Sequence, residues 1–307
     1  MTPFNGMFRN RIALGGVIAI FLAAGTGRAQ TPVKRNSKPA ATRSTAAAPS
    51  VPLEEALQLT KKSPKDPNAY MALGGAYRRA RRYQEALQAF QKAAALDPNY
   101  SAAHVSLGAV YTDLKRTEDA EREFQKALKL NPNDPGAHFN MGNFYLAKGR
   151  RDDALGEFRK ATQLTPPLAD AWVSMGLIQG ELGKADDAIQ NYSKALAIDS
   201  TNVRALTNLA NARYSQQRIP EAAGLYRKAL QLDPRSQEAN YNMGVAFADA
   251  QIFKQALSYW KRVVEIDSTT NVAESAKSSI QILEDFLSSQ QGKVIQQPAT
   301  GVTTEKH

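Results

Sequence analysis

The stretch YMALGGAY, residues 70–77, returns as HVSLGAVY at 104–111 and as HFNMGNFY at 138–145, each time after 34 residues. The same step leads on to WVSMGLIQ at 172, LTNLANAR at 206 and NYNMGVAF at 240. Self-similarity at a fixed period of this length marks a stack of supersecondary units, none of which buries its apolar face alone. Six units lie in register, at 67–100, 101–134, 135–168, 169–202, 203–236 and 237–270.

A second signature fills the rest of each unit. Ala86, Ala120, Ala154, Ala188, Ala222 and Ala256 recur at the same period, and four residues after each stands Phe90, Phe124, Phe158, Tyr192, Tyr226 or Trp260. Three further on come Ala93, Ala127, Ala161, Ala195, Ala229 and Val263, and Pro98, Pro132, Pro166 and Pro234 close four of the units. Spacings of three, four and seven predict two amphipathic helices per unit, joined by a turn near Arg81 to Tyr83. Small residues at Gly74, Gly108, Gly142, Gly176, Ala210 and Gly244 are expected to let the first helix approach the alanine of the second. The aromatic is expected to fill the gap toward the next unit.

This pattern resembles the tetratricopeptide repeat, whose W-x2-L-G-x2-Y, A-x3-F and closing proline recur over a 34-residue unit. The resemblance implies an all-α solenoid, a right-handed superhelix of stacked helix-turn-helix repeats. Gln179 and Arg213 depart from it where the first helix carries Tyr, and Asn240 departs where a large apolar residue is usual. Residues 51–66 and 271–290 are expected to form capping helices, the second with Asn271 as its cap and a stripe of Val272, Ala273, Ala276, Ile280, Leu283 and Leu287.

The charge of +10 is unevenly placed. Arg9, Arg11, Arg28, Lys34, Arg35, Lys38 and Arg43 face no acid in the first 50 residues, so the repeat region is nearly neutral and nucleic acid is disfavoured as a partner. Arg9 and Arg11 precede the apolar run IALGGVIAIFLAAG, and Gly27-Arg28-Ala29 follows it. That order predicts a secretory signal peptide over 1–29 and an exported protein, periplasmic or secreted; an uncleaved N-terminal anchor is the alternative. Residues 30–50 and 291–307 read as polar, unstructured linker and tail. The absence of cysteine excludes disulfides, thiol chemistry and cysteine-held metal.

No phosphate loop or nucleophile elbow appears, so neither an enzyme nor a cofactor is expected, and no metal. His104 and His138 occupy the packing position of Tyr70 and Trp172. Asp152-Asp153 and Asp186-Asp187 suit the start of a helix. The tetratricopeptide resemblance implies that the inner face is lined by first-helix residues, here Phe139, Asn140, Asn143, Leu146, Leu177, Asn208, Asn211, Tyr214, Tyr241 and Asn242. A row of asparagine amides suits an extended peptide. Relatives that clamp a C-terminal carboxylate use a lysine where this chain has Met71, Val105, Phe139 and Val173, so that role is not carried over. A second candidate surface is the turn ladder Arg82, Arg116, Arg150, Lys184 and Arg218, expected to sit against the carbonyl ends of the first helices and able to face an anionic partner. The expected function is a protein- or peptide-binding scaffold, in line with exported relatives that act in envelope assembly. An electrostatic surface adaptor, with membrane contact, and an accessory subunit of a separate enzyme are the alternatives.

Overall fold

The computed structural model describes residues 51–295, so the segments 1–50 and 296–307, with the signal peptide and linker expected there, lie outside the described residues. Fourteen helices and no strand occupy the described residues. A lone helix α1 (Leu53–Lys62) precedes the first hairpin, α2 (Pro67–Arg79) with α3 (Tyr83–Leu96). Then follow α4 (Ser101–Asp113) with α5 (Thr117–Leu130), α6 (Pro135–Ala147) with α7 (Arg151–Leu164), and α8 (Ala169–Glu181) with α9 (Ala185–Ile198). The pairs α10 (Val203–Ser215) with α11 (Ile219–Leu232) and α12 (Gln237–Asp249) with α13 (Phe253–Ile266) complete the series, and α14 (Asn271–Ile295) ends it. The described residues fall into two compact units, 51–178 and 179–295. The protein is an all-α helical repeat solenoid.

Local chemistry sets the helix boundaries. Asp66, Asp134, Asn202 and Ser236 cap first helices by accepting backbone N–H groups of the first turn, and Pro67 and Pro135 add a fixed φ where no donor is needed. Two residues past each first helix stands a residue with positive φ: Arg81, Lys115, Gly149, Gly183, Gln217 or Gln251. There the next N–H reaches back to a carbonyl five residues earlier, as from Arg82 to Tyr77 (2.9 Å) and from Arg116 to Tyr111 (2.8 Å). This double-bonded turn satisfies the orphan carbonyls and reverses the chain.

The recurring alanines are the contact points of the hairpins. Ala86, Ala120, Ala154, Ala188, Ala222 and Ala256 are all 0% exposed, as are the second-helix alanines three residues past the aromatics. The glycines have a different role from the one expected. A Cβ on Gly142 would lie 2.7 Å from the Phe158 ring, and one on Gly244 2.5 Å from Trp260 Nε1, so the glycine makes room for the aromatic of its own repeat. The aromatics also reach outward, since the Phe124 ring stands 5.9 Å from Phe144 of the following hairpin. Apolar clusters therefore run across hairpins, as where Phe90, Val110, Phe124 and Met141 share one core.

Position four of the repeat carries a further rule. Tyr70, His104, His138, Trp172 and Asn240 all direct a polar atom at the carbonyl of the residue six before, which is Pro64, Pro98, Pro132, Pro166 or Pro234. Asn240, a departure by sequence, obeys this pattern through its amide (3.2 Å).

Two end expectations are corrected. Thr270 caps α14 by accepting the Ala273 N–H at 3.1 Å, so Asn271 is the first helical residue and not the cap. The helix also runs to Ile295, past the expected end at 290, because a single glycine costs only about 1 kcal/mol in a helix and the first strong breaker is Pro298.

Candidate functional site

The arginines of the turn edge are tied up within the fold. Arg82 stands directly before α3, donates from Nε to Glu85 at 2.8 Å, and lies 4.7 Å over the Tyr77 ring. Arg116 repeats this with Asp119 (2.7 Å) and Tyr111 (4.6 Å), and Arg150 with Asp153 (2.7 Å) and Tyr145 (4.2 Å). Arg218 pairs with Glu221 at 2.7 Å, while Lys184 is exposed ahead of α9. The expected contact with first-helix carbonyls is made by the backbone N–H of these residues, whose side chains turn to the following helix instead. An anion arriving here must displace an intramolecular carboxylate. Two more arginines of the cluster at 78–82 are also structural: Arg78 bonds Asp113 at 2.6 Å and Arg79 the Val51 carbonyl at 2.6 Å.

Along the first helices, the structure divides the predicted residues. Phe139 and Tyr241 are buried, the first 5.7 Å from the Phe158 ring and the second 6.4 Å from Trp260 with its hydroxyl 3.3 Å from Ser279. They are core residues and leave no side-chain surface for a ligand. Asn140 donates to the Gly136 carbonyl of its own helix (2.8 Å). Asn143, Leu146, Leu177, Asn208 and Asn211 are half-buried, and the Tyr214 hydroxyl donates to Asp249.

In the unit 179–295 a polar cluster joins α10, α11 and α12. Asn211 Oδ1 accepts from Tyr226 Oη at 2.6 Å and from the buried Asn242 Nδ2 at 2.8 Å, and Asn211 Nδ2 approaches Glu238 Oε1 at 3.5 Å. Burial raises the Glu238 pKa, against the Asn211 hydrogen bond and the Arg204 charge, which lower it. Asn242 Oδ1 is buried and accepts no hydrogen bond. One helical turn separates Glu238 from Asn242, so both lie on one side of α12, the carboxylate half-buried and the amide inside. Glu238 was missed in the sequence because it falls on the variable second position of its repeat, where no motif flags it.

His104 and His138 each meet acceptors at both ring nitrogens. Nδ1 lies 2.6 Å from Glu123 and Glu157 respectively, and Nε2 faces the Pro98 and Pro132 carbonyls. The hydrogen bond to Glu157 holds the His138 pKa above its ordinary value against burial. Among the described residues no group of three or more His, Cys, Asp or Glu residues is placed to hold a metal ion. Asp153 is bound to Arg150 at the start of its own helix, and Asp186 accepts from Gln216 of the next hairpin at 3.2 Å. No helix of the described residues is long and apolar enough to cross a membrane.

Comparison with known proteins agrees with this architecture. A model described as TPR repeat matches residues 109–149, 180–217 and 210–251, and one described as tetratricopeptide repeat matches 67–100 and 135–168. Together they span more than half of the 307 residues. No curated protein sequence matches the chain. Among solved structures, Pseudomonas aeruginosa pilF is similar with a TM-score of 0.62 and 20% identity, over 69% of this chain and 96% of that one. The APC/C hetero-tetramer Cut9-Hcn1 is similar with a TM-score of 0.65 and 15% identity, over 73% of this chain and 45% of that one. At these identities the likeness is one of fold.

Proposed function

From the premise that this chain belongs to the tetratricopeptide repeat family, a family of generally non-catalytic interaction scaffolds, we propose that it is an exported scaffold that holds a segment of a partner protein against its first helices. The observation that carries this reading is the half-buried Glu238 of α12, an acceptor whose hydrogen bond from Asn211 is a long 3.5 Å. An extended segment, or a helix end, brings backbone N–H groups that meet this need. Half-buried Asn143, Leu146, Leu177 and Asn208 supply mixed polar and apolar contact of the kind found at interfaces. Export rests on the basic-then-apolar N-terminus, and a role in assembling an envelope complex fits an exported scaffold.

Photo-crosslinking side chains at Leu146 and Asn208, compared with exposed second-helix positions Gln88 and Gln190, test the surface. Adducts of one partner at the first two sites and not at the others are expected. The reverse pattern overturns the assignment. Amino-terminal sequencing of the protein recovered outside the cytoplasm tests export, with Gln30 as the expected first residue.

A further inference from the structure

Cations and aliphatic side chains are segregated on the second helices in a way that neither the hairpin contacts nor the partner face requires. In the unit 51–178, Lys92, Lys126 and Lys160 recur at the same repeat position on α3, α5 and α7, and all are exposed. In the unit 179–295, Lys194, Lys228 and Arg262 take that position on α9, α11 and α13, again exposed. The last six residues of these six helices hold ten cations and a single acid, Glu265, and Asp97, Asp199, Asp233 and Asp267 follow directly at four of the C-caps. Helix-end electrostatics explains the cations. It does not explain what lies beside them.

One turn beyond each of these cations stands Leu or Ile, on the same side of the helix. Three of these are among the most exposed large apolar side chains: Leu164 at 40%, Ile198 at 38% and Leu232 at 44%. Lysine paired with an outward aliphatic is the pattern of a surface that sits on a bilayer, the ammonium meeting phosphate and the alkyl group entering the headgroup boundary. A nucleic-acid backbone uses the cations but has no use for the aliphatics. The turn arginines lie against carboxylates of their own chain at 2.7–2.8 Å, and on the second helices Lys160 meets Glu157 at 3.0 Å. What sets the carboxyl-terminal ends of the second helices apart is the exposed aliphatic one turn beyond the cation.

We propose that the carboxyl-terminal halves of the second helices, in each unit, form a face that adsorbs to an anionic lipid surface. The test is co-sedimentation of the full chain with vesicles of phosphatidylcholine alone or with phosphatidylglycerol added, at low and high salt. Every variant keeps the same basic, apolar N-terminus, so differences between variants report on this face. At about 1 kcal/mol per cation near such a surface, Lys92, Lys126 and Lys160 all changed to Gln are expected to lower the partition onto phosphatidylglycerol vesicles on the order of a hundredfold, and the triple change at Lys194, Lys228 and Arg262 likewise. Arg82, Arg116 and Arg150 changed to Gln are expected to leave it unaltered. Leu164→Ser with Leu232→Ser is expected to weaken vesicle binding while leaving heparin binding as it was. Vesicle binding unchanged in both cation triples overturns the proposal. So does vesicle binding that follows the cations but ignores the two leucines, since the face is then a general polyanion surface. All these positions are exposed, and an unchanged helical dichroism spectrum verifies that the variants fold.

Discussion

At the scale of single residues, the four non-glycine turn residues Arg81, Lys115, Gln217 and Gln251 hold positive φ, where glycine is free of strain. Lys115→Gly and Gln217→Gly are expected to stabilise the protein by about 0.5–1 kcal/mol each, and Gly149→Ala to destabilise it by a similar amount, in urea unfolding. His138 titrates with its fold. Its pKa is raised in the native state, so its contribution is fully present below the unfolded value and is lost as pH rises through the native one. Burial pushes the Glu157 carboxyl up, but hydrogen bonds from His138 and Lys160 bring it below its ordinary value, so the pair is ionic under mildly acidic conditions. His138→Gln is expected to cost about 1–3 kcal/mol near pH 6 and less above pH 8, measured by thermal melts across that range. Glu238 has the same sign: its raised pKa makes the carboxyl favour the fold when neutral, and that contribution disappears as pH rises. Glu238→Gln is expected to raise the melting temperature at neutral pH, with the gain vanishing below the ordinary carboxylate pKa, and to weaken partner capture. A single substitution then separates stability from binding.

At the scale of the helix pair, the close fit of first-helix glycine against second-helix aromatic is the specific contact. Gly142→Ala puts a methyl into the Phe158 ring and is expected to cost about 1–3 kcal/mol, with Phe158→Leu recovering part of it in the double variant. Additive losses in that cycle contradict the contact. The pairs, their turns and their buried alanines were legible in the sequence because each rests on spacings within 34 residues. The partner of each glycine was not legible, since the alanine and the aromatic are both within reach of the facing helix and side-chain volume decides between them. Position four was read as packing, and the carbonyl six residues earlier became visible only once the turn had folded.

For the molecule as a whole, stability is a sum over neighbouring hairpins, and the end of the series needs cover. Trp260 and Val263 lie at 0% exposure against Ala273, Ala276 and Leu283 of α14. Ending the chain after Asp267 is expected to remove hydrogen-exchange protection from α12 and α13 first, with protection of α2 to α7 retained. Uniform loss of protection throughout contradicts the additive picture. Period, helix pairing and the near-neutral charge of the repeats are properties of the sequence alone, because they depend on contacts and electrostatics within a few turns of chain. Which candidate residues remain at the surface was settled only by tertiary packing. Phe139, Tyr241 and Asn242 are drawn inside, the turn arginines find carboxylates of the next helix, and Glu238 meets Asn211 from 27 residues away. Side-chain exposure is set by neighbours that stacking supplies, and a repeat read by itself does not contain them.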